Sequence, residues 1–277
     1  MILKKTHELK TTNNDIFRLI HNKNIIIVNH DYKGIDCLDS SLRTLHYIPI
    51  ANNITAWAIY NKYDGSSIIV HDPTDQMIPI ERHQITIINL KTLEKTTLNP
   101  GEAANNCFDK NYYWQDDTVI FITEETDIFY HLDLKGKTLK QISQNTVKKI
   151  APAFFSFWQA CKMYSALTVY PDRQAFIFQK SPETIVFFDY LNNKQFETNV
   201  FTPNPYTVHY RNGIFLFEYS TTIEIVYNNN RTIIESQYPP YYYLQTSILH
   251  DNTIVTLQTN TNDHQHCILE TYKLEKS

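Results

Sequence analysis

Residues 84–98 read Gln84-Ile-Thr-Ile-Ile-Asn-Leu-Lys-Thr-Leu-Glu-Lys-Thr-Thr-Leu98. The first half is an apolar, β-branched run that stops at Asn89, and the second alternates polar with apolar residues. β-Branched side chains are stiff in a helix and fit a pleated surface, so the stretch reads as a hairpin: an apolar strand, a polar turn and a more polar strand. Similar phrases stand at residues 127–142, 184–196 and 222–234, with a degenerate copy at 34–48 and a last apolar strand at 267–274. The residue closing the first strand of each phrase is Asp39, Asn89, Asp133, Asp189, Tyr227 or Tyr272, with separations of 50, 44, 56, 38 and 45 residues. Their mean of about 47 matches the roughly 40–50 residues that a repeat unit of four strands occupies.

Working outward, two further strand candidates precede most phrases: 56–60 with 67–71, 112–114 with 118–123, 166–170 with 174–179, 206–210 with 213–217, and 243–249 with 253–258. The runs at 24–28, 119–122, 176–178 and 214–217 are continuously apolar, as strands covered on both faces should be, whereas 94–98 alternates like a half-exposed strand. Residues 2–9 also alternate. They are expected to pair with the final unit, where they remove the open edges that template aggregation. With only 5 Gly in 277 residues, the turns depend on Asn and Asp, as in Asn192-Asn193 and Asn228-Asn229-Asn230, which tolerate left-handed backbone. The widest spacing contains residues 144–165, readable as a long loop or a short helix. No Gly-, Ser- or Pro-rich linker divides the chain, so one domain over 1–277 is expected.

This pattern resembles the β-propeller superfamily, the WD-repeat and kelch-like group included, over nearly the whole chain. The expected fold class is therefore all-β: a six-bladed β-propeller whose N-terminal strand closes the last blade. The Trp-Asp and Gly-His signatures of WD repeats, the paired glycines of kelch repeats and the Asp box of sialidases are all missing. The resemblance implies architecture alone, and function has to be argued from particular residues.

Bulk composition narrows the classes. Hydrophobic residues make up 42% and charged residues 19%, with 19 Tyr and 15 Phe, enough apolar mass for a large core and too little charge for a disordered chain. The formal charge of -4 provides no basic excess to neutralise phosphates, which argues against nucleic acid as a partner. Cys37, Cys107, Cys161 and Cys267 are far apart, as reduced thiols in a cytosol would be. No segment approaches about 18 apolar residues, so no membrane partner is expected and a cytoplasmic location is.

Candidate chemistry is sparse. His264-Gln-His266 with Asp263 has the residue types of a metal site, but a solvated loop before the last strand is the simpler reading. His30-Asp31 and His71-Asp72 fit acid-base pairs and equally fit hydrogen-bonded strand ends. Asp116-Asp117 and Glu124-Glu125 with Asp127 would suit a glycosidase only if folding set two carboxylates across a sugar bond. No Gly-x-Ser-x-Gly elbow is present, and no cofactor or metal is expected.

The aromatic segments are more telling, because Tyr and Trp combine large contact area with a polar handle and few rotatable bonds. Tyr238, Tyr241, Tyr242 and Tyr243 surround two prolines between units. Phe154, Phe155 and Trp158 lie in the long interruption, and Tyr112 and Trp114 open another unit. These nine are the candidate partner-binding residues, with wedging between blades as the structural alternative. The leading expectation is a non-catalytic protein-binding propeller. It looks like the immunity proteins that neutralise a bacterial toxin or effector by direct binding. The competing expectation is a carbohydrate-active or metal-dependent hydrolase with its site in the central funnel.

Overall fold

A computed structural model describes residues 2–50, 58–61, 67–71, 85–98, 108–115, 117–123, 127–170 and 173–275. Among them, six four-stranded antiparallel sheets follow one another along the chain. Strand β1 (Ile2–Thr11) comes first. The next four, β2 (Leu19–Asn22), β3 (Ile25–His30), β4 (Gly34–Leu38) and β5 (Thr44–Pro49), form one meander. The second consists of β6 (Ala58–Asn61), β7 (Ser67–His71), β8 (Ile85–Asn89) and β9 (Lys95–Leu98). The third consists of β10 (Phe108–Gln115), β11 (Thr118–Thr123), β12 (Phe129–Asp133) and β13 (Thr138–Ile142). Helices α1 (Gln144–Ile150) and α2 (Pro152–Met163) then precede the fourth, β14 (Thr168–Tyr170), β15 (Ala175–Ser181), β16 (Thr184–Asp189) and β17 (Lys194–Asn199). The fifth is β18 (Thr207–Arg211), β19 (Ile214–Glu218), β20 (Thr222–Tyr227) and β21 (Asn230–Glu235). The last joins β22 (Tyr241–Ile248), β23 (Ile254–Asn260) and β24 (Cys267–Glu275) to β1 from the start of the chain. The expected N-terminal pairing is present, running from Ile2 opposite Glu275 to Thr11 opposite Cys267.

The fold is all-β and of the propeller kind, small meanders packed face to face. The chain groups into two compact units, Met1–Ile54 with Phe201–Ser277 and Thr55–Val200. In the first unit one core joins Ile26, Val28 and Leu38 to Val255, Leu257 and Leu269. A second joins Ile214, Leu216 and Ile225 to Ile248, Ile254 and Tyr272, so the composite sheet is covered on both faces. In the second unit Ile85 and Ile87 pack on Val119, Tyr130 and Leu132.

Burial follows strand position as the sequence pattern suggests. Every residue of β19 and all but the last of β23 are buried, whereas β5, β13 and β17 are largely exposed. In four of the meanders the residue closing the apolar strand has a physical purpose. Asp39 Oδ1 accepts from Ser41 N at 2.8 Å and Arg43 N at 3.0 Å; Asn89 Oδ1 accepts from Lys91 N at 2.9 Å and Thr92 N at 3.0 Å. Asp133 does the same for Gly136 N at 2.9 Å and Asp189 for Asn192 N at 3.1 Å. Such side-chain capping closes the Asp39, Asn89 and Asp189 turns without glycine, whereas the Asp133 turn uses Gly136, where a Cβ would meet the Asp133 carboxylate at 2.6 Å. Asn228 and Asn229 instead both take positive φ, 50° and 61°, the backbone of a tight two-residue hairpin.

The long interruption is helical. Ser143 caps α1, its hydroxyl accepting from Thr146 N at 3.1 Å, and Pro152 stands in the first turn of α2, where its missing N–H costs nothing. Phe154, Phe157, Trp158 and Cys161 repeat at helical spacing and bury one face of α2 against Phe129 of β12 and Phe176 of β15.

Candidate functional site

In an antiparallel meander the first and third turns lie at one end, and the second turn lies at the other with the connection entering from the previous sheet. In the first unit the two ends differ in chemistry. The first- and third-turn end is built from residues such as Lys23, Asp39, Asn212, Asn228, Asn229, Asp251 and Asn252. The opposite end comprises turns 31–33, 219–221 and 261–266 and connections 12–18, 201–206 and 236–240. It displays Tyr206, Tyr238, Phe201 and Tyr32, which are 72%, 61%, 56% and 36% exposed. Half-buried Phe17, Tyr219, Tyr241 and Tyr242 flank them. Tyr47, also exposed, lies tilted against His30 with ring centroids 4.7 Å apart.

These loops are held by backbone groups. Tyr206 N donates to Glu218 O at 2.8 Å, Tyr243 N to Ser220 O at 2.7 Å, Ser236 N to Thr221 O at 2.8 Å and Thr261 N to Pro240 O at 2.9 Å. Tyr219 Oη donates to Thr202 O at 2.6 Å, and Gln237 N to Gln258 Oε1 at 2.8 Å. The fully buried Asn29 anchors connection 12–18, accepting from Phe17 N at 2.9 Å and Arg18 N at 2.8 Å while donating to Asp15 O at 2.7 Å. A surface with its backbone already ordered loses less entropy when a partner docks.

Beneath this end lies the buried carboxyl of Glu218, which accepts from Thr246 Oγ1 at 2.9 Å across to the composite sheet. Burial pushes its pKa up to about 7, against the pull of the Thr246 hydrogen bonds. Burial also raises Tyr219 to about 12, and burial followed by the Asp15 hydrogen bond raises Tyr32. These two hydroxyls are therefore neutral hydrogen-bonding groups at physiological pH.

The candidate residues separate. Tyr238 is exposed and Tyr241 and Tyr242 are half-buried, so all three belong to the aromatic end. Tyr243 is buried within the core between two sheets, where burial, followed by the charges of Glu270 and Glu235, drives its hydroxyl far above its ordinary range. Phe154, Phe155 and Trp158 are only 1%, 7% and 5% exposed. Their rings contact Tyr113, Phe129 and one another at 5.0–6.2 Å, so they wedge α2 between sheets and are not on a free surface. Tyr112 is half-buried against the core of the second unit, and the Trp114 side chain lies outside the described residues. Tyr32, Phe201, Tyr206 and Tyr219 stand outside the aromatic segments of the sequence, and only topology brings them to one end.

Elsewhere the described candidate groups make local contacts. His266 Nδ1 lies 2.8 Å from Asp263 Oδ2 within its own turn, and among the described residues no three His, Cys, Asp or Glu side chains converge as metal ligands would. His30 Nδ1 meets Asp36 Oδ2 at 2.7 Å. Asp127 pairs with Lys162 of α2. Asp72, Cys107, Asp116, Glu124 and Glu125 lie outside the described residues. His21 Nδ1 approaches Ser247 Oγ at 2.6 Å while Arg211 Nη2 faces His21 Nε2 at 3.4 Å. A guanidinium only donates, so Nε2 accepts and Nδ1 bears the proton it gives to Ser247. In that tautomer the imidazole is no base for the serine hydroxyl.

Fold and surface together define a propeller-type β protein with one aromatic and one Asn/Asp-rich end in its first unit. Compared with models of known protein families and with curated proteins, the sequence matches none. No helix among the described residues is long and apolar enough to cross a membrane.

Proposed function

We propose that the chain is a non-catalytic, cytoplasmic protein-binding propeller that holds its partner on the aromatic end, in the manner of an inhibitor that caps a bacterial toxin or effector. The observation behind this reading is the concentration of Tyr32, Phe201, Tyr206 and Tyr238 on hydrogen-bonded loops of one end. Tyrosine-rich, preorganised surfaces are where binding hot spots concentrate. The same proposal takes each of the six meanders as a propeller blade and the chain as one domain, a reading supported by the recurrence of the four-strand unit and by the pairing of β1 with β24.

A photo-crosslinking amino acid placed at Tyr206 or Tyr238, and as control at Asn229 on the opposite end, tests it in the native host. One protein should be captured repeatedly from Tyr206 and Tyr238 and not from Asn229. Capture from Asn229 alone, or indiscriminate capture from all three, would overturn the assignment.

A further inference from the structure

The carboxylates of the first unit are not all partnered alike. On the Asn/Asp-rich end they have basic neighbours: Asp39 with Arg43 at 2.7 Å, Glu275 with Lys4 at 3.4 Å and Asp251 with Lys273 at 3.8 Å. On the aromatic end Asp31 has Lys33 at 3.8 Å, whereas Asp15 accepts from the Tyr32 hydroxyl at 3.0 Å and Asp263 faces His266 at 2.8 Å. Glu235 lies close enough to Tyr243 for its charge to raise that hydroxyl. Among the described residues no Lys or Arg pairs with Asp15, Glu235 or Asp263.

These carboxylates share a continuous surface with the tyrosines. Turn 261–266 is joined to connection 236–240 through Thr261 N and Pro240 O at 2.9 Å, and to connection 12–18 through Asn14 N and Gln265 O at 3.4 Å. Tyrosine faces attract cations through the ring quadrupole, and carboxylates attract the same groups by charge-assisted hydrogen bonds. Unneutralised acids beside exposed rings thus match ammonium and guanidinium groups and repel acidic ones.

We infer that the aromatic end receives a basic segment of the partner protein, its Lys and Arg side chains laid against the tyrosines between Asp15, Glu235 and Asp263. The inference rests on the proposal that this end is the docking surface, and it adds the partner's chemistry.

The test titrates the full chain with three synthetic decapeptides, one rich in Lys and Arg, one rich in Glu and one neutral and rich in Pro and Leu. Amide and aromatic NMR shifts are followed in about 20 and about 200 mM salt, a range over which the screening length shortens from roughly 20 Å to below 10 Å. The basic peptide should shift Tyr32, Tyr206 and Tyr238 and bind several-fold more weakly in the higher salt. It should bind at least about tenfold more weakly to an Asp15→Asn, Glu235→Gln, Asp263→Asn variant whose melting curve matches the parent, while the acidic peptide should not bind. Unchanged affinity in that variant, or a basic peptide that settles on the opposite end, overturns the inference. A neutral peptide that alone shifts the same tyrosines, equally in parent and variant, rejects the basic partner and leaves the docking surface standing. If no peptide touches the tyrosines, both fall.

Discussion

Asp39, Asn89, Asp133 and Asp189 occupy one position in four meanders, and at each the side-chain oxygen takes the N–H groups of the following turn. That recurrence made the repeat readable, because a residue chosen for local hydrogen bonding leaves the same mark wherever the turn is needed. Glu218 leaves no such mark. A glutamate ending an apolar strand looks like a solvated strand end, and only the packing of β22 against β19 buries it. Its folded pKa of about 7 lies above the reference 4.5, so the folded state binds the proton more tightly than the unfolded one. The associated stability is fully present below about pH 4.5 and lost as pH rises through about 7, a difference on the order of 3 kcal/mol. Glu218→Gln retains an acceptor for Thr246 without the charge. The variant should exceed the parent in stability at pH 8 and lie near it at pH 4.5, as read from urea midpoints, and an equal gain at both pH values would contradict this.

At the scale of elements, α2 shows what the sequence left ambiguous. Phe154, Phe157, Trp158 and Cys161 have the spacing of a helical face, and the segment from Gln144 also carries a Ser143 cap and a proline at a helix start. Those signals favour a helix over a loop, but they do not say whether its aromatic face meets the core or a partner, since both environments select the same side chains. Trp158 packs edge-on against Phe129 with centroids 5.0 Å apart. Its replacement by alanine should therefore cost about 3–5 kcal/mol through the cavity it leaves. Tyr238→Ala, on an exposed loop, should change stability by no more than about 0.5 kcal/mol. Chemical denaturation of the two variants measures the contrast, and a Trp158 variant as stable as the parent would return that cluster to the list of surface candidates.

For the molecule as a whole, β1 is the strand on which the last sheet depends. It pairs along β24, and Lys5 Nζ reaches the buried Glu270 carboxylate at 3.0 Å. Lys4, Lys5 and Lys10 lie on its length, the kind of charge that discourages further strand addition at an edge. Removing residues 1–11 should uncover β24, leave Glu270 without its cation and make the chain aggregate, with a lowered melting temperature. Light scattering after size exclusion checks this, and a truncated chain that stays free of aggregates and equally stable would refute it. The sequence alone determined the all-β class, the four-strand period, the turn chemistry and the N-terminal pairing, because strand alternation and turn capping are written in neighbouring residues. Tertiary structure decided which aromatics are core and which are surface: Tyr32, Phe201, Tyr206 and Tyr238 are distant along the chain, and only the alternating direction of successive strands delivers their loops to the same end.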